Sequence, residues 1–310
     1  MIVGTKTFSP KKIFGILILL FGGLLGIFLF AYSPNKSSAN RSFVKIPVRF
    51  FPFRDRPVID IEIEEKKYSL LVDLGSSNQI VLHKQSMEKI QKKKLVSTSN
   101  YTGVKGNAYL TQTFLLPDVK ILDVTIKGLK GYEESPKFIR DAKIGLNPFG
   151  MWNQFIDKLE LALIDGRIGG CVFKKIDCLF DFPNSNIIIA KDMPSLMNEA
   201  GYSFEKCIKI PFNIEKYGIV FSIETDLGSK KMMLDTGATH SIFKKKGNPP
   251  EQWTYEMHPL IIGGTDFGNW KFWLLEYSDV FDCDGILGVD FFKKHAIYFD
   301  FHNNIAYIKN

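Results

Sequence analysis

The sequence predicts a mainly β chain built of two similar lobes behind an apolar N-terminal segment, and three observations carry that expectation. The composition is rich in aromatic residues, with 27 Phe and 11 Tyr among 310 residues, types that fit a pleated, half-buried surface. A motif of 20 residues is written twice, and the chain opens with a long uncharged apolar run. With 45% apolar and 24% charged residues, the body can bury a core of ordinary size, which excludes a disulfide scaffold and a disordered chain.

Residues 1–12 form a short tail and residues 13–32 carry no charge. At about 1.5 Å per residue, a helix of that length spans roughly 30 Å, the thickness of a bilayer core, so a transmembrane helix is predicted here. Lys6, Lys11 and Lys12 precede it and Lys36, Arg41, Lys45 and Arg49 follow, so charge bias barely sets its orientation. A retained single-pass anchor and a cleaved signal peptide both stay open, although the run exceeds the about 7–15 residues of a signal-peptide core. A short tail does not carry a large body back across the bilayer, so the body is expected on the extracytoplasmic side. Residues 33–43, rich in Ser and Asn, read as a tether.

The formal charge is +7, but residues 1–32 hold three lysines and no acid, which leaves 37 basic against 33 acidic residues in the body. That near-balance, with only short lysine runs at residues 92–94 and 244–246, excludes a nucleic-acid binder built on a dense basic stripe. Cys171, Cys178, Cys207 and Cys283 could pair in an oxidising compartment or remain buried thiols. His83, His240, His258, His295 and His302 lack a His-x-x-x-His spacing, so no metal site is expected.

The duplication sets the domain plan: an N-terminal lobe over residues 44–190, a linker over 191–207 and a C-terminal lobe over 208–310. Residues 165–184 and 284–303 align without a gap at 10 of 20 identical positions, where background composition would give about one or two. Lys45-Ile46-Pro47 opens the first copy and Lys209-Ile210-Pro211 the second. An alternating strand follows in each, at residues 58–63 and 219–223. An apolar strand then runs into Asp73-Leu74-Gly75-Ser76 in one copy and Asp235-Thr236-Gly237-Ala238 in the other. From Asp73 to Gly169 is 96 residues and from Asp235 to Gly288 is 53, so the first lobe carries 43 extra. Most of these fall between residues 113 and 163, with a strand-like 119–126 and a helix near 151–158. Asp141-Ala142-Lys143-Ile144-Gly145 is a second candidate for the apolar-apolar-Gly element assigned to Arg167-Ile168-Gly169.

Asp-Thr-Gly after an apolar strand, followed by Asp284-Gly285-Ile286-Leu287-Gly288 and the closing strand Ile297-Tyr298-Phe299-Asp300-Phe301, resembles the aspartic peptidases of the retropepsin-like and pepsin-like clan. Having this order twice is far more specific than a bare triplet. The resemblance covers most of residues 44–310 and implies two retropepsin-like β-barrel lobes in one chain, hence a monomer rather than a homodimer. It also implies an endopeptidase that needs no cofactor and holds a polypeptide substrate between the lobes, with Asp73 and Asp235 as catalytic pair. Two facing carboxylates cannot both ionise easily, so the pair shares one proton and supplies base and acid together, as is general for such dyads.

The resemblance gives the neighbours roles as well. Gly75 and Gly237 would let the backbone turn sharply. A Thr after each Asp would bond the opposite loop; Thr236 fits, while Leu74 has no hydroxyl. Ser76 is placed to bond the neighbouring aspartate or to be a plain turn serine, and Ala238 matches the retropepsin version. A flap is expected over residues 101–109, around Tyr101, Gly103 and Gly106, with Gly263 and Gly264 as the matching turn of the second lobe; Gly-rich tips suit a moving lid, or an ordinary β-turn. Because of Leu74, an alternative stands beside the peptidase: a degenerate lobe pair that binds without cutting. Asp165, Asp284, Asp181 and Asp300 also repeat but belong to structural signatures.

Overall fold

The computed structural model describes residues 43–52, 54–102, 108–134, 156, 159–160, 162–174, 178–190, 193–216, 218–225, 228–245, 253–277 and 281–309. Residues 13–32, where the membrane helix is expected, lie outside the described residues, as do residues 1–12 and all of the tether but its last residue. Among the described residues no helix is long and apolar enough to cross a membrane. Arg41–Asn310 makes one compact unit.

Each lobe grows from a hairpin whose alternation is visible in the chain. Pro57–Ile63 pairs antiparallel with Lys66–Asp73, and Tyr68, Leu70 and Val72 fill the core while Ser69, Leu71 and Asp73 take the other face. Glu64 and Glu65 make the turn, both at positive φ (51° and 62°), a tight hairpin geometry. The Glu64 carboxylate accepts the amides of Gln91 and Lys92, which fixes the turn that two acidic residues would otherwise strain. In the second lobe Gly218–Thr225 pairs with Gly228–Leu234. Ten described strands form the first lobe's sheet and nine the second's.

A six-stranded sheet joins the lobes. Its centre is the repeated motif paired with itself: Cys178–Asp181 runs antiparallel to Ile297–Asp300, with Leu179 opposite Tyr298. Its two edges are the repeated Lys-Ile-Pro strands, Phe43–Pro47 and Cys207–Pro211. Much of the Phe content gathers on this sheet, where Phe180 meets Phe173, Phe299 and Phe182 edge-on at 5.4, 5.5 and 5.9 Å. Such contacts add to the area buried. The Asp181 and Asp300 carboxylates each accept from the Asn three residues on, capping the same turn twice.

The described part of the expected linker, residues 193–207, packs on the joining sheet. The helix Met193–Glu199 buries Leu196 and, with Phe204, covers Leu179, Ile188 and Tyr298 on the joining sheet. Residues 119–126 correct the single strand expected there. They form two strands, Val119–Ile121 and Val124–Ile126, folded back at Leu122 with φ 53°. Leu-Asp lacks the Gly or Asn that usually marks such a turn. The expected 151–158 helix falls mostly outside the described residues, as do residues 141–145. Among the described residues no disulfide joins the four cysteines, and Cys178 and Cys283 are buried.

Candidate active site

Asp73 and Asp235 sit where the two lobes' core strands end. In the first lobe, Gly166–Gly169 inserts parallel to Lys66–Asp73, with Gly169 opposite Asp73, and antiparallel to Ile80–His83. In the second, Gly285–Leu287 lies parallel to Gly228–Leu234, and the Asp235 amide donates to Leu287 O at 3.0 Å. The chain therefore crosses itself tightly, and glycine is required at the crossing. A Cβ on Gly169 would lie 1.9 Å from Asn78 O, and one on Gly288 2.6 Å from the His240 carbonyl carbon. This identifies Arg167-Ile168-Gly169 as the first lobe's apolar-apolar-Gly element. Asp165 and Asp284 brace the crossings by accepting the Ser69 and Lys231 amides at 2.9 and 2.8 Å.

The turns after the aspartates face one another across the lobes. A Cβ on Gly75 would fall 2.5 Å from Asp235 Cγ, and one on Gly237 would fall 2.9 Å from Asp73 Cγ. Each carboxyl thus rests on the other lobe's glycine, which brings the two acids side by side. Asp235 Oδ1 accepts the Gly237 amide at 2.7 Å. Burial, then the negative charge and hydrogen bond of Asp73, push the Asp235 carboxyl up to about 7, against the amides of Gly237 and Gly75 that favour its anion. Like-charge neighbours of this kind titrate as a pair.

Thr236 locks the loops from one side. Its buried hydroxyl donates to Val72 O at 2.7 Å and accepts from the Leu74 amide at 3.1 Å. Leu74 makes no matching bond; its side chain is buried, with Cδ2 packed at Gly170. Ser76 is buried and among the described residues its hydroxyl has no hydrogen-bond partner, so only its amide bonds Asp73, donating to the main-chain O at 3.1 Å. Ala238 packs beside Val220, Met233, Cys283 and Ile286.

The flap candidates divide. The strands Lys94–Thr102 and Ala108–Leu115 form a hairpin with Tyr101 opposite Tyr109. Leu95 and Leu110 on it are largely exposed. Gly103 and Gly106 lie outside the described residues. Gly263 and Gly264 correct the second-lobe candidate: they turn between two short strands with positive φ, and Gly263 packs on Ile208 and Ile210 of the joining sheet. They turn a structural hairpin that folds onto the joining sheet. His240 is exposed, beside Trp273. Among the described residues no group of three or more His, Cys, Asp and Glu gathers as a metal site.

One cluster went unnoticed in the sequence reading. Arg167 stands with its Nε 3.8 Å from Asp73 Oδ2 and its Nη2 2.8 Å from Glu134 Oε1, and His83 Nε2 lies 3.3 Å from Glu134 Oε2. Glu134 is buried; burial alone would raise its carboxyl, but Arg167 and His83 hold it below the usual range. The signal was present, since the aligned motif sets Arg167 over Ile286.

No family model matches the chain and no curated relative is found. Solved structures do resemble it. An aspartic proteinase from Irpex lacteus superposes with a TM-score of 0.54 at 14% identity, covering 86% of this chain and 97% of that one. Basic 7S globulin from soybean gives 0.51 at 11%, covering 87% and 95%, and edgp 0.54 at 8%, covering 88% and 96%. The chain has the two-lobed, mainly β fold of the pepsin-like aspartic proteinases and their structural relatives. A proteinase and a globulin both carry it, so the fold alone does not decide hydrolysis.

Proposed function

We propose that the chain is an aspartic endopeptidase in which Asp73 and Asp235 activate one water against a peptide bond. The observation that carries this is the reciprocal seating of each carboxyl on the other lobe's glycine. Two carboxyls so placed hold one proton between them. The ionised member takes a proton from the water as its oxygen attacks the carbonyl carbon, and the protonated member donates to the carbonyl oxygen. Collapse of the tetrahedral species then breaks the C–N bond as a proton passes to the leaving nitrogen. No cofactor enters. The substrate is an extended polypeptide lying between the lobes, under the hairpin of residues 94–115. Residues 13–32 anchor the monomer in a membrane by a single pass, with the body on the extracytoplasmic side.

The test is cleavage of unstructured polypeptides by the full chain in detergent micelles, from pH 3 to 8, beside Asp73→Asn and Asp235→Asn. Activity surviving both substitutions removes the reading. Since Asp235 titrates near 7, activity is expected to persist to near-neutral pH and to fall as the second carboxyl ionises. The buried isobutyl group of Leu74, where a hydroxyl would complete the lock, favours a second reading, a lobe pair that binds polypeptide without cutting. That reading expects no turnover at any pH and a partner affinity indifferent to Asp235→Asn.

A further inference from the structure

We infer that Arg167, held in place by Glu134 and His83, is a positioning residue that breaks the symmetry of the aspartate pair: it keeps the negative charge on Asp73 and leaves the shared proton on Asp235.

Strand geometry places the three groups together. Side chains alternate across a sheet; Ile168 points into the core at 0% exposure, so Arg167 points to the opposite face, shared with Leu71 and Asp73. On that face Arg167 lies opposite Val81 and His83 opposite Glu134, so three adjacent strands present Arg167, His83 and Glu134 as neighbours. The Arg167 side chain is 18% exposed and that of Glu134 6%, which strengthens their interactions relative to water. The 3.8 Å from Nε to Asp73 Oδ2 is ion-pair range, longer than a direct hydrogen bond. The guanidinium therefore biases the carboxylate without tying up the oxygen that a water would need.

The second lobe supplies the control. The His83 and Lys244 amides make the same bond, to Asp165 O and Asp284 O at 2.9 and 2.8 Å. On that register Arg167 matches Ile286, Glu134 matches Leu275 and His83 matches Lys244. Ile286 sits in an apolar cluster with Val220, Met233 and Tyr277. Among the described residues no cation stands at ion-pair distance from Asp235; its charged neighbour is Asp73. Where the first lobe has a guanidinium beside its carboxyl, the second lobe has Ile286 at the matching position. Among the described residues, other titratable groups near this network include Tyr132, two residues before Glu134 and close to Cys171, and, beyond the apolar cluster of Leu71, Phe51 and Ile164, the Arg54 and Arg56 pairs with Glu160.

The kinetic consequence rests on the peptidase reading and the electrostatic one does not, so the experiment reads both. Aspartate carboxyl carbons are labelled with 13C in the full chain and titrated by NMR, with Asp73→Asn and Asp235→Asn assigning the pair, alongside the pH profile of kcat/KM. Arg167→Gln removes the cation and keeps a donor for Glu134. It is expected to move the lower step of the pair up by about one pH unit, since an opposite charge at this range lowers a carboxyl by about 1–3 units and Glu134 shares the cation. The acid limb of kcat/KM moves with it, about a tenfold loss on that limb. Glu134→Gln frees the guanidinium for Asp73 and moves the same step down; Arg167→Lys restores most of the wild-type profile. A merely structural Arg167 would lower activity without moving either step. The inference is overturned if Arg167→Gln leaves the lower step in place, or if the Arg167 and Glu134 variants move it in the same direction. Should Arg167→Gln fail to fold, the direction of the Glu134→Gln shift decides. A chain that cleaves nothing at any pH sinks the peptidase reading, while the carboxyl titration still judges Arg167.

Discussion

The two halves of the site share a backbone and differ in side chains. Both lobes end a core strand in Asp-x-Gly and thread a Gly-bearing strand beside it. The second half then adds a hydroxyl lock and apolar walls, through Thr236 and Ile286. The first half has an isobutyl group in the lock position and a charge network on its wall, through Leu74 and Arg167. Duplication preserved what the backbone crossing demands, because a Cβ at Gly169 or Gly288 would overlap main-chain atoms. Elsewhere, where only side-chain volume is constrained, the halves diverged, and a geometrically symmetric pair became electrostatically unequal.

Substitutions at these positions test how far the two halves really differ. The largest effect is expected from the carboxyls themselves: Asp73→Asn or Asp235→Asn should each lower kcat by about a thousandfold or more in the peptide-cleavage assay, because one member cannot serve as both acid and base. Equal losses are expected despite the unequal surroundings; an Asp235→Asn enzyme with near-normal turnover would dissolve the pairing. Next is Gly75→Ala, whose methyl would overlap the Asp235 carboxyl at 2.5 Å from Cγ. Misplacement on that scale costs about a hundredfold in rate, and kcat should fall with little change in Tm.

Thr236→Val tests the single lock. It leaves the buried Leu74 amide and Val72 carbonyl without their partner, at about 1–3 kcal/mol for each group left unpaired. A denaturant midpoint should drop accordingly, whereas an unchanged midpoint would mean the lobes hold together without it. The pH dependence of stability follows from the raised Asp235 carboxyl. Between its ordinary value of 3.8 and about 7, the native state binds more protons than the unfolded chain, so stability falls as pH rises through that window. Asp235→Asn should flatten this slope in urea melts at pH 4, 5.5 and 7. The smallest effect belongs to Leu74→Thr, which exchanges buried hydrocarbon for the missing hydroxyl. The two changes oppose each other, so stability should move by no more than about 1 kcal/mol, and any gain in turnover would locate the defect in the lock.

The chain made some of this plain and hid the rest. The duplicated motif could be read directly because its identities fall on residues with local duties: a Gly where chains cross, an Asp that caps a turn, a Phe that fills the joining sheet. The Lys-Ile-Pro openings were visible as repeats, but their place as the two edges of one shared sheet was not. The turn at Leu122 was missed because the positive φ falls on a leucine, a residue that seldom takes it. Gly263 and Gly264 read as a lid from their Gly-rich turn, a local feature that says nothing about which surface a hairpin folds onto.

Two lobes, one aspartate from a tight turn in each, and the loss of one of two possible hydroxyl locks can be read from the residues in order. These are properties of local chain geometry and of residue chemistry repeated at fixed offsets. The surroundings of each carboxyl emerge only when the strands assemble. Arg167, Glu134 and His83 come from three strands that are far apart in the chain and adjacent in the sheet. Charge acts through distance and burial, and neither is written in the order of the residues.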